Sequence, residues 1–174
     1  MKQSALTKKR SKAGNAIMEL PFAIWFFLIC LVFPILGFVT LGFRCTLIYF
    51  GVRDSCYQAS KAANFASAQA TAKTILQKEV ATWPGVTVPA NDPTVSVVVR
   101  PLGGGPETES NSAIPPAAIN PSANMYLVRT RTVATIAPMI NMGTTGFWTG
   151  IPGLTGPFNI PFVYQNFAEN PYGL

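Results

Sequence analysis

From Leu20 to Phe43 the chain is apolar or neutral without a single charge, a run of 24 residues. As a helix it would reach about 36 Å, more than a hydrocarbon core of roughly 30 Å, so it predicts a membrane-spanning helix. Beyond Arg44 the pattern becomes helical. Ile48, Val52, Cys56, Ala59, Ala63, Ala66 and Ala70 recur at spacings of three and four, with Arg53, Asp54, Lys61, Lys73 and Lys78 mostly on other faces. The spacing predicts one helix emerging from the membrane and running to about Thr82, where Trp83-Pro84-Gly85 stops it. Its stripe of small residues lets another element approach closely.

The period then changes to alternation. Thr94 to Arg100 and Met125 to Ile136 are rich in β-branched residues and read as strands, with Tyr126, Val128, Thr130, Thr132 and Ala134 on one face of the second. A last short strand is expected over Ile160 to Phe167. Pro101 to Asn124, with Gly103-Gly104-Gly105 and five prolines, reads as a long exposed loop. Pro138 to Pro157 is a second irregular, glycine-rich stretch carrying Phe147 and Trp148. It reads as a packed loop or an exposed adhesive surface.

These elements predict an α+β architecture: a long N-terminal helix, half transmembrane and half extracytoplasmic and amphipathic, packed on a small antiparallel sheet of three or four strands. The division along the chain is 1–14, a basic cytoplasmic leader; 15–43, the transmembrane helix; and 44–174, the extracytoplasmic helix with a small β domain. About 130 residues lie beyond the span, enough for one small domain.

Charge sets the orientation. Lys2, Lys8, Lys9, Arg10 and Lys12 precede the apolar run, while only Arg44 and Arg53 follow it closely. The positive-inside bias therefore places the N-terminus in the cytoplasm and the rest outside, as in a single-pass protein of a bacterial inner membrane. A cleaved secretory signal would have an apolar region of about 7–15 residues and a small-x-small site just after it. No such site follows the run closely. The net charge of +6 belongs to the leader, since without residues 1–14 there remain 8 basic residues against 7 acidic ones. No basic patch interleaved with aromatics points to nucleic acid.

Little catalytic chemistry is on offer. The chain has no histidine, the commonest general base and metal ligand. Asp54, Glu79, Asp92, Glu107, Glu109 and Glu169 form no pair at helical spacing, and Glu107-Thr108-Glu109 reads as a solvated loop rather than a calcium site. Gly103-Gly104-Gly105 lacks the following Lys-Ser/Thr of a phosphate cradle. A non-enzyme is expected, with no cofactor, metal or small-molecule substrate. Three cysteines build no disulfide framework. Cys30 reads as a packing residue. Cys45 and Cys56 would lie about 16 Å apart on a continuous helix, beyond bridging distance unless the helix breaks, most easily at Gly51.

One junction carries a specific mechanism. Gly14 lies between the basic leader and the span, and Glu19 opens the apolar run. A glycine before a scissile bond keeps the backbone extendable, so a membrane-embedded peptidase could cut there and free an amine on Asn15. A carboxylate at the mouth of a spanning helix is costly and calls for a partner. An amine about 4 Å away would attract it by on the order of 4 kcal/mol at an effective dielectric of 20. Residues 15 and 19 of one helix meet awkwardly. Neighbouring subunits could pair them and fix their stagger.

Lys12-Ala-Gly-Asn-Ala-Ile-Met-Glu-Leu-Pro-Phe22, the apolar run after it and Gly42-Phe43-Arg44 resemble the start of TadE-like minor pilins (pseudopilins) of the tight-adherence, Flp-type IV pilus system. The resemblance is detailed over about residues 10–44 and only architectural beyond. It implies processing by a prepilin peptidase after Gly14, a role for Glu19 in assembly, and other pilin subunits and the pilus assembly platform as partners. Two other readings use the same residues: an unprocessed membrane-anchored binding domain that exposes Pro101–Asn124 or the Phe147-Trp148 region, and a type II secretion pseudopilin.

Overall fold

The computed structural model describes residues 19–145 and 149–173. Helix α1 runs over Glu19–Ala59, 41 residues, so the apolar run and the first amphipathic turns form one rod. Pro34 lies within it, and a prolyl ring clashes with the carbonyl four residues back while donating no hydrogen bond. The ladder absorbs this by a π-turn at Leu28–Val32, where the Phe33 amide donates to the Leu28 carbonyl five residues back. The helix continues unbroken through Gly51, and Cys45 and Cys56 are free thiols.

The expected single helix to Thr82 is not what forms. The rod ends at Ala59 and a second helix, α2, covers Phe65–Val80. The break has a local cause: Asn64 and Ser67 make a reciprocal capping box. Asn64 Oδ1 accepts from the Ser67 amide at 2.8 Å, and Ser67 Oγ accepts from the Asn64 amide at 3.1 Å. The chain then folds back along α1. Ala68 and Ala72 meet Cys56 and Ala59, while Leu76 and Val80 meet Ile48 and Val52. The expected stripe is therefore corrected beyond Ala59: Ala63, Ala66 and Ala70 are exposed, and Ala68 and Ala72 are the alanines that α2 buries against α1 and the sheet.

The sheet has five antiparallel strands, β1 (Val86–Thr87), β2 (Thr94–Pro101), β3 (Thr108–Ser110), β4 (Asn124–Ile136) and β5 (Phe158–Phe167). β4 is central. β5 pairs along one edge from Leu127↔Phe167 to Ile136↔Phe158, and β2 takes the other edge from Thr94↔Arg131 to Pro101↔Asn124. β1 joins the end of that edge at Ile136, and β3 extends β2 outward. Between β1 and β2 the Val133 amide has no strand to pair with. Asp92 fills the gap, its carboxylate accepting from that amide at 3.0 Å and from Thr132 Oγ1 at 2.8 Å.

The alternation expected in β4 is present: Tyr126, Val128, Thr130, Thr132, Ala134 and Ile136 are buried, while Arg131 and Val133 are exposed. The buried face receives the helix hairpin in two clusters. One joins Cys56, Ala59, Ala68 and Ala72 to Val95, Val97 and Val128; the other joins Ile48, Val52, Leu76 and Val80 to Val86, Ala134 and Ile136. The stretch Pro101–Asn124 is corrected in part. It holds β3 and a turn of 3₁₀-helix at Pro116–Ala118, because β2 offers β3 an open edge.

Candidate functional site

Among the described residues, the first half of α1 meets almost nothing. Leu20, Phe22, Ile24, Trp25, Phe26 and Phe27 are all more than half exposed, with Phe22 at 77 %. Large apolar groups on every side of a helix are what lipid solvates and water does not. Glu19 stands at the start of this segment, exposed and in no ion pair with a described residue. Gly14, Asn15 and the rest of the leader lie outside the described residues, as do Phe147 and Trp148.

Contact with the rest of the fold begins at Pro34 and Gly37, which are buried on one stripe with the half-buried Leu41 and Arg44. The glycine-rich stretch after β4 covers this stripe. A Cβ on Gly37 would come within 2.6 Å of Leu154, and one on Gly153 would strike Leu41. Thr40 Oγ1 donates to Met139 Sδ at 3.4 Å. The Arg44 guanidinium donates to the Ala137 carbonyl and lies against Gly85, which has φ +78°. The described parts of the stretch, 138–145 and 149–157, are thus packed on α1 through Met139, Gly153 and Leu154. The turn at Trp83-Pro84-Gly85, the end of β4 and the outer end of the apolar run are tied together by Arg44.

Higher on the domain, a cleft of about 630 Å³ opens between the two helices and β5. Phe50, Tyr57, Trp83 and Tyr164 wall it, with Arg53, Asp54 and Glu79 at its polar side. Gly51 makes it possible, because a Cβ there would come within 2.7 Å of Glu79 Oε2 and 2.8 Å of the Trp83 ring. Burial pushes the Glu79 carboxyl above its ordinary range, and the nearby Asp54 charge adds to the shift. Such a cleft can hold an apolar or cationic group. Its residues do not make a nucleophile–base pair.

Sequence reasoning missed an ion-pair cluster on the opposite face of the sheet. Glu107 and Glu109, placed in a solvated loop, meet three arginines of β2 and β4. Arg129 reaches Glu109 at 2.5 Å and Glu107 at 3.4 Å, Arg131 reaches Glu109 at 2.6 Å, and Arg100 pairs with Glu107. Burial pushes the Glu109 carboxyl up. The Ser96 hydroxyl and the Arg129 and Arg131 guanidiniums outweigh it and hold the carboxyl below its ordinary range. No group of three or more His, Cys, Asp or Glu able to hold a metal occurs among the described residues. No protein-family model, curated protein or solved structure matches the chain.

Proposed function

We propose that the chain is a membrane-anchored structural subunit of the TadE-like minor pilin kind, cut by a prepilin peptidase after Gly14. It takes part in assembling a Flp-type IV pilus and performs no catalysis. The observation that supports this reading most is the single rod Glu19–Ala59, uncovered and apolar in its first half and the spine of an α+β domain in its second. The exposed Glu19 carboxylate, in no ion pair with a described residue, supports a pairing with the Asn15 amine of a neighbouring subunit. The leader charges put the N-terminus in the cytoplasm and the sheet outside.

Intact mass and N-terminal sequence of the protein from its native membrane test the reading. A chain starting at Asn15 is expected, and one starting at residue 1 or 2 would overturn it. Glu19→Gln removes the charge and keeps the shape, so processing should persist while co-purification of partner pilins falls. The aromatic cleft beside Glu79 favours a second reading, an unprocessed membrane-tethered binding domain, which the same mass measurement separates from the first.

A further inference from the structure

Apart from Arg44, whose guanidinium donates to the Ala137 carbonyl, the part of the domain that meets the apolar run carries no charge. Arg131 and Glu169 bracket residues 132–168, which carry no charged side chain. Within that stretch the loop Pro138–Pro157 grips α1 between Pro34 and Arg44, through Leu154 on Gly37, Gly153 on Leu41 and Met139 on Thr40. This is inside the uncharged run that ends at Phe43. The same level of the helix still presents Leu36, Phe38, Val39 and Phe43 outward, each at least 45 % exposed. The loop therefore lies beside helix surface that lipid would otherwise cover.

Its own construction suits that place. Met142 and Leu154 are buried as its small core, while Met139 and Ile140 are turned out, Met139 at 60 % exposure. Four of its amides pair within it: the Met142 amide donates to the Leu154 carbonyl at 2.9 Å, the Leu154 and Thr155 amides to Ile151 at 3.1 and 2.9 Å, and the Gly153 amide to Gly156 at 3.0 Å. Internal pairing is the condition for non-helical backbone near hydrocarbon. The lengths agree as well. The run Leu20–Phe43 spans about 36 Å as a helix, some 6 Å more than a hydrocarbon core of about 30 Å. That surplus is about four residues, matching the level of Thr40–Phe43.

We propose that the described parts of this loop, 138–145 and 149–157, are a membrane-interface contact that seats Met139 and Ile140 in the outer leaflet, at the boundary of headgroups and acyl chains. It acts as a collar around the emerging helix. The occupant is phospholipid, because the surface is continuous with the uncharged run of α1, the loop itself has no charge to hold a hydrated partner, and the nearby Arg44 guanidinium is engaged by the Ala137 carbonyl. This rests on the reading of α1 as a membrane span. The collar fixes the height and tilt of the domain over the bilayer, which a bare helix cannot do alone.

Depth-dependent quenching tests it. The full chain, carrying a fluorescent non-natural residue at one position, is placed in phosphatidylcholine–phosphatidylglycerol nanodiscs whose lipids bear a nitroxide near either the ester or the methyl end of the acyl chain. A probe at Met139 or Ile140 should lose most of its emission to the shallow nitroxide and much less to the deep one. A probe at Leu31 should be quenched by the deep nitroxide. A probe at Leu102, at the far end of the sheet, should be quenched by neither. Quenching at Leu31 with none at Met139 and Ile140 overturns the collar and leaves the span intact. Cross-linking of Met139 to a second copy in place of lipid quenching also overturns it. No quenching at Leu31 overturns the span and the collar together.

Discussion

The two halves of α1 belong to one rod but differ in setting: the first is uncharged beyond Glu19 and exposed, the second carries Arg44, Arg53 and Asp54 and buries one stripe against α2 and the sheet. Along Leu20–Phe27 the outward groups are Leu, Phe, Ile and Trp. Along Ile48–Ala59 the buried positions are Ile48, Gly51, Val52, Ser55, Cys56 and Ala59, nearly all small. Lipid chains adapt to any side-chain shape, so size is unconstrained where lipid is the neighbour. A sheet and an antiparallel helix do not adapt. Residues that face them must let backbones approach, as Gly51 does for Glu79 and Trp83. Charge separates the halves along the sequence, and among their apolar positions side-chain size separates them again.

The sharpest way to break this contrast is to truncate one large apolar residue in each setting. Leu76 is fully buried beneath α1, and Leu76→Ala should destabilise the domain by about 3 kcal/mol through lost burial and the cavity left behind. Phe22→Ala removes more atoms but touches no part of the sheet domain. It should change domain stability by less than about 0.5 kcal/mol. Hydrogen exchange of the β4 amides in detergent reads both, since it reports opening of the sheet while α1 stays solvated. A loss of similar size from both would mean that the uncovered half packs on the domain after all.

A smaller effect is expected where the covered half ends. Asn64→Ala removes the side-chain acceptor of the Ser67 amide and half of the capping box, at a cost of about 1 kcal/mol. Exchange should quicken first in the early turns of α2. If instead α1 and α2 fuse and the Asn64 amide becomes protected, the turn is set by the cap alone and not by the sheet beneath it.

How much of this was legible depends on whether the cause is local. The apolar run, the β-branched run of β2, the alternation of β4, a last strand over Ile160–Phe167 and the stop at Trp83-Pro84-Gly85 are patterns within single segments, and they were readable. The hairpin was missed although its signal, Asn64 with Ser67 three residues on, is local, because the alanine spacing runs on across it. β1 and β3 are two and three residues long and exist only because a neighbouring edge is open. The roles of Asp92 and of Glu107 and Glu109 depend on the β2–β3–β4 register, which no window of sequence contains. Of the junction, Gly14 and Asn15 lie outside the described residues, and Glu19, the first described residue, is exposed on α1.

The smallest effect sharpens the same contrast on the sheet, whose helix-covered face is apolar and whose other face carries the ion cluster. Glu109 is held below its ordinary titration range by Ser96, Arg129 and Arg131 despite its burial. A carboxylate whose pKa is lower in the folded chain than in the unfolded one, about 4.3 for glutamate, stabilises the fold above that value. The contribution disappears as pH falls through the folded value. The cluster is partly exposed, with Arg131 at 49 % and Glu109 at 29 %, so solvent screens it. Glu109→Gln should then cost only about 0.5 kcal/mol at neutral pH. Denaturant unfolding of the domain, followed through the β4 amides, should show this difference at pH 7, less of it in high salt, and none once Glu109 is protonated. A difference that persists unchanged into acid would mean that glutamine disturbs packing along β3, and the ion cluster would then contribute no measurable stability to this face.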